Sequence, residues 1–167
     1  MFSKRYIQFV DDLAKLYGVH VKIANTPVEI KGEVFDNPCA DMETDTIYLI
    51  FPEYLYKRVG GKELMPAFFH ELAHVLNKYE GKYSVYHSTI NPNKDSIESL
   101  NIYIKTALKA ERYTESRAKE LMSFWCPYIT YEEAYRDKVS VMYLDYTQVY
   151  PVRLAIAVRE EEREYGR

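Results

Sequence analysis

Two histidines and a glutamate with the spacing of a metal site lie near the middle of this 167-residue chain. His70, Glu71 and His74 form the pattern H-E-x-x-H within Phe68-Phe69-His70-Glu71-Leu72-Ala73-His74-Val75-Leu76. On a helix, residues four apart lie one turn above each other, so both imidazoles can reach one zinc ion. Zinc with three protein ligands keeps a fourth position for water, whose pKa it lowers toward about 7. The pattern predicts a hydrolytic zinc site with Glu71 as general base.

A chance match is the alternative, in which both histidines are ordinary surface or core residues. The surrounding sequence favours the metal site, because apolar residues supply a core-facing stripe around the motif: Phe68, Phe69, Leu72, Val75 and Leu76. Pro66 is tolerated in a first helical turn, and the glycines Gly60, Gly61 and Gly81 punctuate the two ends. We therefore expect a motif helix over roughly residues 62–79.

The third zinc ligand must come from elsewhere in the chain. The segment 111–122 has a helical pattern and carries Glu115, with Glu111 one turn earlier on the same face. We expect Glu115 to bind the metal, while the other glutamate supports a ligand or faces water; the choice between the two stays open. Glu98 and His87 are weaker alternatives, since helix glutamates and lone loop histidines are usually solvated.

The remaining pattern predicts an α+β fold that positions these residues. Apolar spacing predicts an N-terminal helix over 3–17, with Ser3 as N-cap and Gly18 as the stop. Three strands forming a small three-stranded sheet are expected at 19–23, 28–35 and 46–51, the second interrupted by Gly32. We expect the third strand to form the sheet edge that accepts an extended peptide substrate.

The second half of the chain is predicted to be mostly helical. Residues 81–93 resemble a loop at the rim of the site. A glutamate helix over about 94–124 follows, either continuous or broken near 109–113, and Pro127 ends it. Weaker helical patterns follow at 131–146 and 151–165. We expect a single domain over 1–167, with a core over about 1–125 and a helical C-terminal extension over 126–167.

Composition excludes several classes of protein. The apolar fraction of 47% and charged fraction of 28% are typical of a soluble globular protein. A net charge of -3 gives no support to nucleic-acid binding or to an anionic membrane. No apolar run is long enough to span a membrane and no secretory signal is visible. Because Cys39 and Cys126 are few and distant in sequence, we expect free thiols and a cytoplasmic location.

The 17 tyrosines are the other unusual feature of the composition. Rings buried at the rim of the core, with their hydroxyl groups in water, would account for them. Aromatic residues are also enriched at interfaces, so a peptide-binding groove or a partner surface is the alternative.

The motifs together resemble those of the gluzincin metallopeptidases, and the order of elements is similar to that of the small ImmA/IrrE-type members. In that family the glutamate of E-x-x-A is the third zinc ligand, which corresponds to Glu115 with Ala118. The resemblance implies a zincin-like fold, bound Zn²⁺ and cleavage of a protein substrate. Members often come from phage or mobile elements and cleave or regulate a repressor-type transcription factor. The chain departs from the family pattern at Ala73 and Lys119.

Three functions therefore follow as hypotheses from the sequence. The first is a zinc metalloendopeptidase in which His70, His74 and Glu115 hold zinc and Glu71 activates water. The second is a regulatory, protein-binding domain whose metal site is structural or vestigial. The third is a hydrolase of non-peptide amides or esters, because activated water does not specify its target.

Overall fold

The computed structural model describes residues 2–53, 61–81, 97–131 and 163. The described chain is α+β, with three helices and two small sheets. Its elements, in chain order, are α1 (Lys4–Tyr17), β1 (His20–Ala24), β2 (Val28–Ile30), β3 (Glu33–Phe35), β4 (Cys39–Asp41), β5 (Thr46–Ile50), α2 (Leu64–Tyr79) and α3 (Ile97–Trp125). The predicted rim loop beyond Gly81 and the predicted helices over 131–146 and 151–165 lie outside the described residues, apart from Tyr131 and Arg163.

Helix α1 begins and ends where its sequence predicts. Ser3 occupies the N-cap position, although its side chain makes no capping hydrogen bond. Gly18 ends the helix with φ of 70°, and its left-handed conformation lets the chain turn directly into β1. Val10, Leu13 and Ala14 bury one face of the helix. The apolar spacing of the sequence thus predicts the buried positions of Val10 and Leu13, whereas Leu16, which continues the same spacing, is exposed.

The main sheet has the strand order β1-β5-β4. β1 runs parallel to β5, pairing His20 with Thr46, and β4 runs antiparallel to β5, pairing Cys39 with Tyr48. All five residues of β5 are buried. The expectation that β5 forms a sheet edge is therefore wrong, because strands flank it on both sides. The sequence does not predict β4, which has only three residues and follows a proline.

The predicted second strand is a hairpin of its own. Lys31 and Gly32 have φ of 52° and 82°, and they join β2 to β3 through a two-residue turn with Ile30 paired to Glu33. Two consecutive positive φ angles are typical of the type I′ turn that matches strand twist. Gly32 therefore marks a reversal of the chain, and the three-stranded sheet gains β4 in place of this segment.

Helices α2 and α3 pack against each other and form the centre of the molecule together with β5. α2 is buried over most of its length, because nearly every residue from Leu64 to Val75 is apolar or belongs to the motif. α3 is continuous from Ile97 to Trp125, so the alternative of a break near residues 109–113 is wrong. No glycine or proline interrupts that segment. None of the helices among the described residues is both long and apolar enough to cross a membrane.

Each end of α2 lies close to another part of the chain. At its C-terminal end, the Lys78 ammonium donates to the backbone oxygen of Met42 at 2.6 Å and to the Asp45 carboxylate. Burial alone would raise the pKa of Asp45, but hydrogen bonds from Lys78 and Tyr79, together with the charge of Lys78, outweigh burial and lower the pKa. At the other end, Gly61 has φ of 98°, and a Cβ atom there would lie 2.8 Å from a ring carbon of Tyr6.

Cys39 and Cys126, both within the described residues, form no disulfide.

Candidate metal centre

The two motif histidines lie on one face of α2, as their spacing predicts. Their Nε2 atoms are 3.2 Å apart, and the ring of His70 is fully buried in the core. The side chain of His74 keeps 12% of its surface exposed. The pair therefore presents two nitrogen atoms to one point at the interface between α2 and α3.

Helix α3 brings Glu111 to the same point. Its Oε2 atom lies 3.1 Å from Nε2 of His70, and its Oε1 atom lies 3.4 Å from Nε2 of His74. Ligand atoms that surround a tetrahedral zinc ion at about 2.0–2.1 Å are about 3.3 Å from one another. The separation of the two Nε2 atoms matches that spacing, and each Nε2 atom has a different oxygen of the Glu111 carboxylate at a similar distance. Two imidazoles with a carboxylate are a donor set that zinc accepts. The residues therefore fit a bound zinc ion.

Glu115 contacts the opposite edge of the His70 ring. Its Oε2 atom lies 2.8 Å from Nδ1 of His70, and the carboxylate is buried. A carboxylate on Nδ1 fixes the ring orientation and leaves Nε2 to face Glu111. Glu111 therefore lies at the Nε2 atoms of both histidines. Glu115, which we expected from the sequence to be the third ligand, lies at the other edge of the His70 ring.

The charges of the cluster are strongly coupled. Burial would lower the pKa of His70, but the hydrogen bonds that its ring donates to the Glu111 and Glu115 carboxylates outweigh burial and raise the pKa to about 10. Burial would likewise raise the pKa of Glu111, but hydrogen bonds from His70 and His74 hold it well below its usual range. The two buried carboxylates therefore create a strongly negative environment that favours a cation.

Glu71 is buried next to this cluster on α2, with 5% of its surface exposed. Its negative charge adds to those of Glu111 and Glu115 in raising the pKa of His70. His87 and the side chain of Glu98, the weaker candidates for the third ligand, lie outside the described residues.

Three further polar residues near the cluster were missed at the level of sequence. The Oγ1 atom of Thr114 lies 3.5 Å from Nδ1 of His74, and the Asn77 amide nitrogen donates to the same oxygen at 3.0 Å. Arg117 in turn donates to Oδ1 of Asn77 at 3.1 Å. Asn77 lies three residues after His74, and Thr114 three after Glu111. Helical spacing from the motif could therefore have identified both residues.

Comparisons of the chain with protein-family models, with curated proteins and with solved structures give no match. The geometry of the cluster and the resemblance of its motifs are therefore the grounds for a functional proposal.

Proposed function

We propose that this protein is a zinc-dependent metallopeptidase of zincin-like fold, similar to the gluzincins, with zinc held by His70, His74 and Glu111. One observation carries the proposal. The Nε2 atoms of both histidines and the Glu111 carboxylate converge within 3.1–3.4 Å of one another, in a buried site next to Glu71. H-E-x-x-H on a helix is the motif in which that glutamate acts as the base of a metalloprotease.

Each residue of the cluster has a distinct task in this proposal. His70, His74 and Glu111 bind the metal, and Glu115 keeps Nδ1 of His70 protonated so that Nε2 is a lone-pair donor. When bound, zinc polarises the substrate carbonyl and lowers the pKa of water. The Glu71 carboxylate takes the proton of the attacking water and delivers it to the leaving amine nitrogen.

A protein substrate is part of the proposal, and the resemblance favours a regulatory protein such as a transcriptional regulator. The outer edge of β4 supports an extended peptide as the bound form. Within the described residues no strand pairs with that edge, and β4 packs next to the motif helix α2. An extended peptide could add to β4 as a fourth strand and pass along α2.

The test combines metal analysis with peptide hydrolysis on the purified full chain. We expect about one zinc per chain in the wild type, and its loss in His74→Ala. Glu71→Gln should keep zinc and lose hydrolysis of a mixed peptide library by at least about 100-fold, because it removes only the base. Glu120→Gln, a change of an exposed glutamate on α3, is the matched control and should keep both. Absence of zinc from the wild type would contradict the proposal, and full activity of Glu71→Gln would contradict the role of Glu71.

A protein-binding domain with a structural metal site is the second candidate. The burial of the cluster favours it, because structural zinc sites are closed whereas catalytic sites keep an open position. Phe124 and Tyr128 also expose 75% and 66% of their surfaces, and aromatic residues are enriched at interfaces. Under this candidate, zinc binds but Glu71→Gln changes neither hydrolysis nor the capture of a partner.

A further inference from the structure

The two motif histidines are supported in different ways. His70 has a carboxylate on Nδ1, from Glu115, at 2.8 Å. His74 has instead the neutral hydroxyl of Thr114, at 3.5 Å from its Nδ1 atom. That distance is at the long end for a hydrogen bond, so Thr114 orients the ring of His74 only weakly by itself. The contacts that fix the Thr114 hydroxyl therefore decide how well it orients His74.

Asn77 holds the Thr114 oxygen from the motif helix itself. Both side chains are completely buried, and the Asn77 amide nitrogen donates to Oγ1 of Thr114 at 3.0 Å. A threonine oxygen has two acceptor lone pairs, so it can accept from Asn77 and from the Nδ1–H of His74 at once. With Nδ1 protonated, Nε2 of His74 offers its lone pair to the point that Glu111 also faces.

Arg117 fixes which way the Asn77 amide points. Its Nη1 atom donates to Oδ1 of Asn77 at 3.1 Å, so the amide nitrogen must face Thr114. Arg117 is itself held by Glu80, through two hydrogen bonds of 2.6 Å. That hydrogen bonding with Glu80 raises the pKa of Arg117, which stays charged. The result is a directional chain from the surface of the protein to His74.

We propose that Thr114 and Asn77 are positioning residues that set the tautomer and the orientation of His74 for metal binding. This inference rests on the proposed zinc site but assigns residues that the H-E-x-x-H motif does not include. Outer partners of metal-binding histidines typically change metal affinity by about 10- to 100-fold when they are removed. A merely structural role would change the stability of the fold and leave the affinity of the folded protein for zinc unchanged.

Zinc dissociation constants of the full-length protein, measured by competition with a chromophoric chelator, test the proposal. Thr114→Val keeps the shape of the side chain and removes the hydroxyl, so we expect zinc to bind about 10- to 100-fold more weakly. Thr114→Ser restores the hydroxyl and should restore affinity. Thr106→Val is the matched control, because Thr106 lies exposed on the same helix and its hydroxyl donates to the backbone oxygen of Ile102, at 2.8 Å.

Circular dichroism of the zinc-free variants shows which of them fold. If Thr114→Val does not fold, Arg117→Met carries the test, since that side chain is 22% exposed and its loss frees the Asn77 amide to rotate. Weaker zinc binding by Arg117→Met then supports the proposal. Wild-type affinity in every folded variant overturns the role of Thr114 and Asn77 and leaves the zinc site intact. Failure of the wild type itself to bind zinc overturns the proposed function as well.

Discussion

Separate replacement of Glu111 and Glu115 by glutamine distinguishes the metal ligand from its support. Glutamine at 115 still offers a carbonyl oxygen to Nδ1 of His70 and lacks only the charge. We therefore expect zinc affinity to fall by about tenfold, the low end for an outer partner. Glutamine at 111 places a neutral group where the carboxylate lies 3.1 and 3.4 Å from the two Nε2 atoms. The loss of an anionic ligand should weaken binding by more than about 100-fold.

These affinities translate into thermal stability. Zinc that binds only the folded chain adds RT ln(1 + [Zn]/Kd) to the free energy of unfolding. At free zinc of about 100 times the wild-type Kd, this is about 2.7 kcal/mol for wild type, about 1.4 for Glu115→Gln and at most about 0.4 for Glu111→Gln. For a chain of this length, each kcal/mol raises Tm by about 2–4 °C. The expected increases in Tm are about 5–11 °C, 3–6 °C and below 2 °C, respectively.

The assay compares Tm with zinc and with a chelator, so that any effect of the substitution on the zinc-free fold cancels. Chelator competition gives the dissociation constants independently. Glu120→Gln, on the exposed face of the same helix, should match the wild type in both measurements. If Glu115→Gln abolishes zinc binding while Glu111→Gln binds nearly as well as wild type, our assignment is refuted. The order expected from the sequence would then be correct.

Two further predictions concern the contacts that hold α2 in place. Asp45→Asn removes the ion pair with Lys78 but tolerates the φ of 50°, so it should lower the free energy of unfolding by about 1 kcal/mol or less at pH 7. Because the pKa of Asp45 is lower in the folded chain than in the unfolded chain, this difference from wild type should shrink as the pH falls below about 4. Urea unfolding at pH 7 and pH 3 would reveal the change. Gly61→Ala should lower the free energy of unfolding, measured in urea, by about 1–3 kcal/mol more than Gly32→Ala does. Both glycines have positive φ, but only at Gly61 does a Cβ meet an atom, at 2.8 Å, so equal costs would contradict the steric argument.

Local patterns predict a large part of this fold. The limits of α1 and α2 follow from apolar spacing, from Gly18 and from the motif itself, because a helix that buries one face must repeat its apolar residues every three or four positions. Strand pairing is harder to predict from the sequence. β4 has three residues and no alternation, and only its antiparallel partner β5 makes it a strand, so the central position of β5 could not be read from its own sequence.

The third ligand shows the same limit within the site. Glu111 and Glu115 lie one turn apart on one helix face, so spacing alone brings both to the motif and cannot order them. Which carboxylate lies at the Nε2 atoms depends on how α3 is rotated about its own axis and how far it is shifted along α2. Tertiary packing sets both the rotation and the shift. Thr114 and Asn77 could have been predicted more easily, since each lies one helical turn beyond a residue that the sequence analysis identifies.

The interface between α2 and α3 is costly for a fold built only for stability. It buries His70, Asn77, Glu111, Thr114 and Glu115 among apolar side chains. Well-packed apolar residues in place of a buried ionic cluster are often neutral or stabilising by about 1–4 kcal/mol. A divalent cation would offset the desolvation of the two carboxylates and use both Nε2 lone pairs, so the proposed metal binding would account for this polar set.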